Sequence, residues 1–378
     1  MTTLRALTRA VLTLLAVLAP GAGWVTPAEA QDFVPSVVFD MGGKFDKSFN
    51  EAAYQGAERF KKETGIAYRE FEVTAEAQRE QALRNMARRG AHVVVGIGFS
   101  QATGMEKVAK EFPNIKFAIV DAVVNLPNVR SIVFKEHEGS FLVGMAAAMA
   151  SKTGKVGFVG GMDIPLIRKF ALGYEEGVKY VNAKAEVFQN MTGTTPAAWN
   201  DPTRGGELAR SQFDRGADVI YAAAGATGLG VLQAAKDKGR LAIGVDSNQN
   251  HIHPGTILTS MVKRVDLAVY EAFKTAKDGT WKPGLRNLGV EQVDDGTRRA
   301  CWCKQAAPAV ERESGQRRFG DRRHLGKKRG ASVSRHREQT QLARLHVRQQ
   351  RVDCADHGSH FTRHQRRNEL PGALVGNV

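Results

Sequence analysis

The stretch that decides the fold runs Ser36-Val37-Val38-Phe39-Asp40, then Met41-Gly42-Gly43-Lys44-Phe45-Asp46-Lys47-Ser48-Phe49, then the segment 50–64. A short β-branched apolar run stops on an aspartate, two glycines open a loop, and an amphipathic helical segment follows, which makes one strand-loop-helix unit. Working outward, the same alternation repeats to about residue 261. Further strands are expected at 67–73, 92–96, 116–120, 129–134, 156–160, 185–189, 219–222, 241–245 and 256–261, with helices such as 76–89, 139–150, 167–181, 205–215 and 228–238 between them. Alternation of this kind builds βαβ units on a parallel sheet. Ten strands are too many for one small doubly wound sheet, so two sheets of about five strands in two lobes is the economical arrangement, at roughly 100–150 residues per domain.

Composition narrows the class. The 378 residues are 42% hydrophobic, 25% charged and 7% aromatic, which suits two globular domains and excludes collagen-like, coiled-coil, wholly disordered and polytopic membrane chains. The net charge of +15 is unevenly spread: residues 293–378 hold 19 Lys and Arg against 9 Asp and Glu, whereas residues 1–292 hold 35 against 30. All three cysteines (Cys301, Cys303, Cys354) and six of the ten histidines also lie beyond residue 292. The earlier part has no cysteine, so its core must hold by apolar burial, without a disulfide or a thiolate-metal site.

At the N-terminus, Arg5 and Arg9 precede an apolar run over 10–18, and Ala28-Glu29-Ala30 offers small residues at −3 and −1 of a cleavage site. This reads as an export signal cleaved after Ala30, too short to span a bilayer. No cysteine follows the apolar run to carry a lipid, so the mature chain is expected to be soluble in the periplasm or secreted, and not a lipoprotein.

In a doubly wound fold, ligands bind outside the carboxyl ends of the strands. Those ends carry Asp40, Gly96-Ile97-Gly98-Phe99, Asp121, Gly160-Gly161-Met162-Asp163, Gly225 and Asp246. An ionised carboxylate is purely an acceptor, suited to vicinal hydroxyls or heterocycle N–H groups. The competing reading is that each aspartate caps the next helix. Asp46 and Ser48, ahead of Glu51, read as such a cap.

The segment Val38-Phe39-Asp40-Met41-Gly42-Gly43-Lys44-Phe45-Asp46-Lys47-Ser48-Phe49-Asn50-Glu51 resembles the opening motif of the basic membrane protein family of solute receptors, whose best understood branch is the purine-nucleoside receptor. Further matches follow in order: Lys116-Phe117-Ala118-Ile119-Val120-Asp121, Glu138-Gly139-Ser140-Phe141-Leu142-Val143-Gly144, Trp199-Asn200-Asp201-Pro202 and Ala242-Ile243-Gly244-Val245-Asp246. The resemblance covers about residues 34–290. It implies an α/β type I periplasmic-binding-protein fold, two Rossmann-like lobes joined by a hinge. The N-terminal lobe would be 32–134 and 249–292, the C-terminal lobe 135–248.

The resemblance further implies a purine clamped between two aromatic rings, by motif position Phe49 of the first lobe and Trp199 of the second. Stacking a flat heterocycle between π faces is worth about 1–3 kcal/mol per contact. Asp40 and Asn50 would read the base edge. Asp121 and Asp246 would accept ribose hydroxyls, with the Gly225 backbone approaching closely for want of a Cβ, and Lys263 would add a donor to the sugar. Each has a plainer alternative: Phe49 as a core anchor, Trp199 as packing for its loop, and Lys263 as a solvated helix start.

No Gly-x-Ser-x-Gly, His-Glu-x-x-His or phosphate-loop motif occurs in residues 31–292, so nothing there points to an enzyme, a metal or a cofactor. His251-Ile252-His253 supplies two imidazoles, too few for a metal site alone. At residue 290 the family pattern stops, and the switch to Arg-, Gln- and His-rich sequence reads as translation in a shifted reading frame. The expectation is an exported, monomeric solute receptor for a purine nucleoside, serving an ABC permease with its cytoplasmic ATPase and having no nucleic-acid partner. Two alternatives stand beside it: a receptor for a sugar or free base, and a nucleic-acid or anionic-surface binder using the basic tail.

Overall fold

β1 (Pro35–Phe39) is buried along its whole length, as a parallel strand covered on both faces must be. In the computed structural model, which describes residues 33–290, it sits inside the first of two sheets. The expected leader, its cleavage point after Ala30, and the tail 293–378 with all three cysteines lie outside the described residues.

The first sheet contains β1, β2 (Arg69–Glu72), β3 (Val93–Ile97), β4 (Lys116–Val120), β5 (Val129–Phe134) and β11 (Gly284–Leu288), in the order β11-β5-β4-β3-β1-β2. The second contains β6 (Lys155–Met162), β7 (Glu186–Gly193), β8 (Val219–Ala223), β9 (Leu241–Asp246) and β10 (Ile257–Val262), in the order β10-β9-β8-β6-β7. Every pairing is parallel. Leaving β11 aside, both sheets follow one plan: the chain steps outward once, then returns past the starting strand and continues on the other side. This is the type I periplasmic-binding architecture.

Helices cover both faces of each sheet. α1 (Phe49–Thr64) and α8 (Val265–Lys277) pack on one face of the first sheet, burying Phe60, Val269 and Phe273 with Val37 and Phe39. α2 (Gln78–Arg88) and α3 (Ala102–Glu111) cover the other face with Leu83, Met86, Met105 and Val108. The second sheet is flanked by α4 (Glu136–Ala150) and α5 (Pro165–Val181) on one side, and by α6 (Pro202–Asp214) and α7 (Gly228–Asp237) on the other. α1 and α8 approach so closely that a Cβ on Gly56 would stand 2.1 Å from the Asp266 carbonyl oxygen.

The chain enters the second lobe at Lys135, between β5 and α4, and returns at Lys263-Arg264, between β10 and α8. The return differs from the expectation that 249–292 belongs to the first lobe, because β10 pairs with β9 in the second sheet. The ten residues from 247 to 256 are long enough to run back along a six-residue strand without a helix, so β10 starts level with β9 and continues the same sheet.

Candidate functional site

Each sheet reverses its strand order beside its first strand, between β1 and β3 in one lobe and between β6 and β8 in the other. A doubly wound sheet opens a crevice at that switch point. The two crevices face each other: Asp40, Gly98 and Phe99 from the first, and Ala223 and Gly225 from the second, line one cleft. The cleft spans about 640 Å³ counted out to its mouth, open solvent included. Asp40, Phe49, Asn50, Asp121, Trp199, Gly225, Asp246 and Lys263 all line it.

On the first-lobe side, Asp40 is buried beside Arg79. Its Oδ1 accepts from Arg79 Nε at 3.0 Å and lies 2.9 Å from the second guanidinium nitrogen, and it also accepts the Met41 N–H at 2.8 Å. Gly98, at φ = 99°, leaves room for Oδ2, which would otherwise lie 2.7 Å from a Cβ. The Asn50 carboxamide braces this loop from both ends, its Oδ1 accepting the Asp40 N–H at 3.1 Å and its Nδ2 donating to the Asp40 carbonyl at 3.3 Å. One donor and one acceptor of Asn50, expected to read a base edge, are thus used on the protein's own backbone.

Asp46 caps α1 as expected, accepting the N–H groups of Ser48, Asn50 and Glu51 at 2.8, 3.0 and 3.0 Å. Burial nonetheless pushes its carboxyl above the ordinary value. Ser48 does not cap. Its hydroxyl donates across the cleft to Asp246 Oδ2 at 2.6 Å, since the Asp46 carboxylate already serves the helix end. Two further bonds join the same loops, Ser247 Oγ to the Ser48 carbonyl at 2.7 Å and Gln249 Nε2 to the Lys47 carbonyl at 2.9 Å.

Asp121 and Asp246 end β4 and β9 in the left-handed backbone region, at φ = 70° and 61°. Asp visits that region more readily than bulky residues do, and such strain concentrates at functional sites. Lys263, 1% exposed, donates to Asp121 Oδ2 at 2.7 Å and lies 3.1 Å from Glu136 Oε1. It is therefore no solvated helix start. Burial pushes the Asp121 carboxyl up to about 6, with Glu136 adding to the rise and Lys263 opposing it. Burial raises Asp246 to about 6 as well, against the pull of Lys263 and the Ser48 hydroxyl. For Lys263 burial acts downward, but Asp121, Glu136 and Asp246 together outweigh it, so the amine stays charged.

On the second-lobe side, Trp199 closes the 3₁₀ turn Pro196–Trp199. The preceding Ala198 carbonyl accepts from Thr192 Oγ1 at 3.0 Å and Thr227 Oγ1 at 2.8 Å. The indole lies over Gly161, where a Cβ would come within 2.1 Å of Cζ3, and the Trp199 carbonyl stands 3.3 Å from the Cβ position of Gly225. Phe99, at a strand end picked out in the sequence, joins the lining, and Met41, Leu166, Ile167 and Phe170 add apolar lining that sequence reasoning did not assign to the site. Arg79 and Glu136 were also missed. Arg79 did leave a signal, lying at helical spacing from Ala82, Leu83 and Met86 on the buried face of α2.

Two lobes facing one cleft lined by aromatic rings and buried acceptors fit a solute-binding protein. Residues 33–293 match the family described as ABC transporter substrate-binding protein PnrA-like, and the chain belongs to that family. The match ends where the composition changes. A Pyrococcus abyssi protein named as an uncharacterized lipoprotein is 36% identical over 288 residues, covering 72% of this chain and 70% of its own. The Lactococcus lactis protein named ABC transporter nucleoside-binding protein BmpA is 32% identical over 289 residues, covering 69% of this chain and 81% of its own. Among solved structures, an ABC transporter solute-binding protein from Aeropyrum pernix aligns with a TM-score of 0.64 at 35% identity, over 68% of this chain and 74% of that one. The archaeal relative's name runs against the expectation of a chain without lipid; in this sequence the first cysteine is Cys301.

Proposed function

We propose that this protein is an exported receptor that holds a purine nucleoside between its lobes and passes it to a membrane permease powered by a cytoplasmic ATPase. The observation that carries the reading is that aromatic rings from opposite lobes, Phe49 and Trp199, line one cleft together with Asp121 and Asp246. A base lies between the rings, each stacking contact contributing about 1–3 kcal/mol. The Asp40 carboxylate, kept in place by Arg79 and the Asn50 brace, accepts from the base edge. Asp121 and Asp246 accept from the sugar hydroxyls, Lys263 donates to the sugar, and Gly225 lets it come close to the backbone. The nucleoside-binding relative from Lactococcus lactis supports the same ligand class. The receptor works as a monomer in the periplasm.

Thermal unfolding of the full chain with guanosine, adenosine, inosine, ribose or galactose tests this. A ligand bound only by the folded state, at a hundredfold excess over Kd, stabilises by about 2.7 kcal/mol, a rise in Tm of about 5 °C for a fold of this size. The expected result is a rise with nucleosides and none with the sugars. An equal rise with ribose would transfer the site to sugars, and no rise with any nucleoside would overturn the proposal.

A further inference from the structure

Both lobe crossings among the described residues carry a buried charge, and the two charges meet. The outward crossing enters α4 at Glu136, which is 0% exposed; the return crossing holds Lys263, which is 1% exposed. Glu136 Oε1 lies 3.1 Å from Lys263 Nζ, and Glu136 Oε2 lies 3.5 Å from Lys169 Nζ on α5. The Lys263 ammonium also sits among the rings of Phe134, Phe49 and Phe170, at 5.0, 5.4 and 5.5 Å from their centres. Its hydrogen bond goes to Asp121 Oδ2 alone. Asp121 Oδ1 is buried and has no hydrogen-bond partner among the described residues. Lys263 and Asp121 line the cleft, whereas Glu136 does not.

An ammonium with one carboxylate partner is free to bridge both of its oxygens. A second carboxylate on the opposite side fixes it to one of them. We propose that Glu136 is a positioning residue of the ligand site, holding the Lys263 ammonium on Asp121 Oδ2 so that Asp121 Oδ1 stays available to the ligand. The nucleoside reading enters only through the choice of probe.

The cluster can be followed without ligand, because the charged groups acting on Asp121 are Lys263, Glu136 and Asp246, with Lys169 beyond them against Glu136 and Asp46 acting on Asp246. Carboxyl ¹³C NMR titration of the full chain, with the exchange rate of the Lys263 ammonium protons, gives the readout. In Glu136→Gln the Asp121 midpoint moves to lower pH, because a like charge has gone, and the Lys263 protons exchange faster. Glu136→Asp restores the midpoint toward that of the parent. Lys169→Gln, a change at a half-exposed side chain that leaves the fold intact, moves the midpoint to higher pH. Guanosine binding, measured by calorimetry at neutral pH, weakens about tenfold in Glu136→Gln, or about 1.4 kcal/mol.

A purely structural Glu136 would lower Tm while leaving the Asp121 midpoint and the Lys263 exchange rate unmoved, and that result overturns the proposal. So does an unchanged guanosine Kd in Glu136→Gln beside a parent that binds. If the parent binds no guanosine but the titration and exchange shifts appear, the nucleoside reading fails and the positioning role is upheld by the ligand-free measurements.

Discussion

Asp121 and Asp246 carry a pH signature of their own. With both carboxyls raised to about 6 by burial, they are ionised acceptors above that pH and protonated below it. Nucleoside affinity is therefore expected to fall as pH drops through 6, which titration calorimetry across pH 5–7.5 would record. Their effect on folding runs the other way. The folded state holds these protons more tightly than the unfolded chain, whose carboxyls titrate near pH ~3.9. The stability they add is complete below that value and is lost as pH rises to about 6, so Tm of the ligand-free protein carries a component that declines over that interval. Phe49→Ala tests stacking separately: the loss of about 1–3 kcal/mol weakens binding by roughly 5- to 150-fold, with the fold retained because the ring is only partly buried. Unchanged affinity would remove Phe49 from the site. Much of this residue set was legible because acidic and glycine residues at strand ends stand out against apolar runs. Glu136 was not, since a carboxylate at a helix start reads as an ordinary dipole partner. Its meaning depends on Lys263, more than a hundred positions away.

At the scale of elements, the glycines after β-branched runs mislead about where strands stop. The expected strand 156–160 continues through Gly161 to Met162, and its neighbour runs on to Gly193, because the two remain paired through Met162 and Gly193. The glycine at 161 serves packing: it makes room for the Trp199 ring. Gly161→Ala is expected to displace that ring and weaken nucleoside binding about tenfold or more, while Tm changes by only a few degrees; a fluorescence titration following the indole would read both the displacement and the affinity. β11 escaped sequence reading for a different reason. Its residues Gly284, Leu285, Arg286, Asn287 and Leu288 are half-buried or exposed at a sheet edge, so no apolar run marks them, and parallel pairing with β5 supplies what periodicity does not. The six-residue β10 was found, but its lobe was misassigned, because sheet membership is decided by a partner strand and not by the strand itself.

For the whole molecule, the surroundings of the buried Lys263 ammonium are acidic: Asp121 and Asp246 line the cleft beside it, and Glu136 lies behind, 3.1 Å from the amine. A neutral ligand rich in hydroxyl donors suits that field. A phosphate does not, since juxtaposed like charges cost several kcal/mol. Guanosine 5′-monophosphate is therefore expected to bind at least about a hundredfold more weakly than guanosine in a competition titration at low ionic strength; equal binding would show that the sugar end lies away from these carboxylates. The two-lobed plan itself was legible from the repeated strand-helix rhythm, because each lobe is one doubly wound sheet. The hydrogen bonds from Ser48, Ser247 and Gln249 that join the lobes were not, since each links residues about two hundred positions apart. Those bonds must break before the lobes can part, so the opening rate is expected to be set in part by contacts that belong to the protein and not to its ligand.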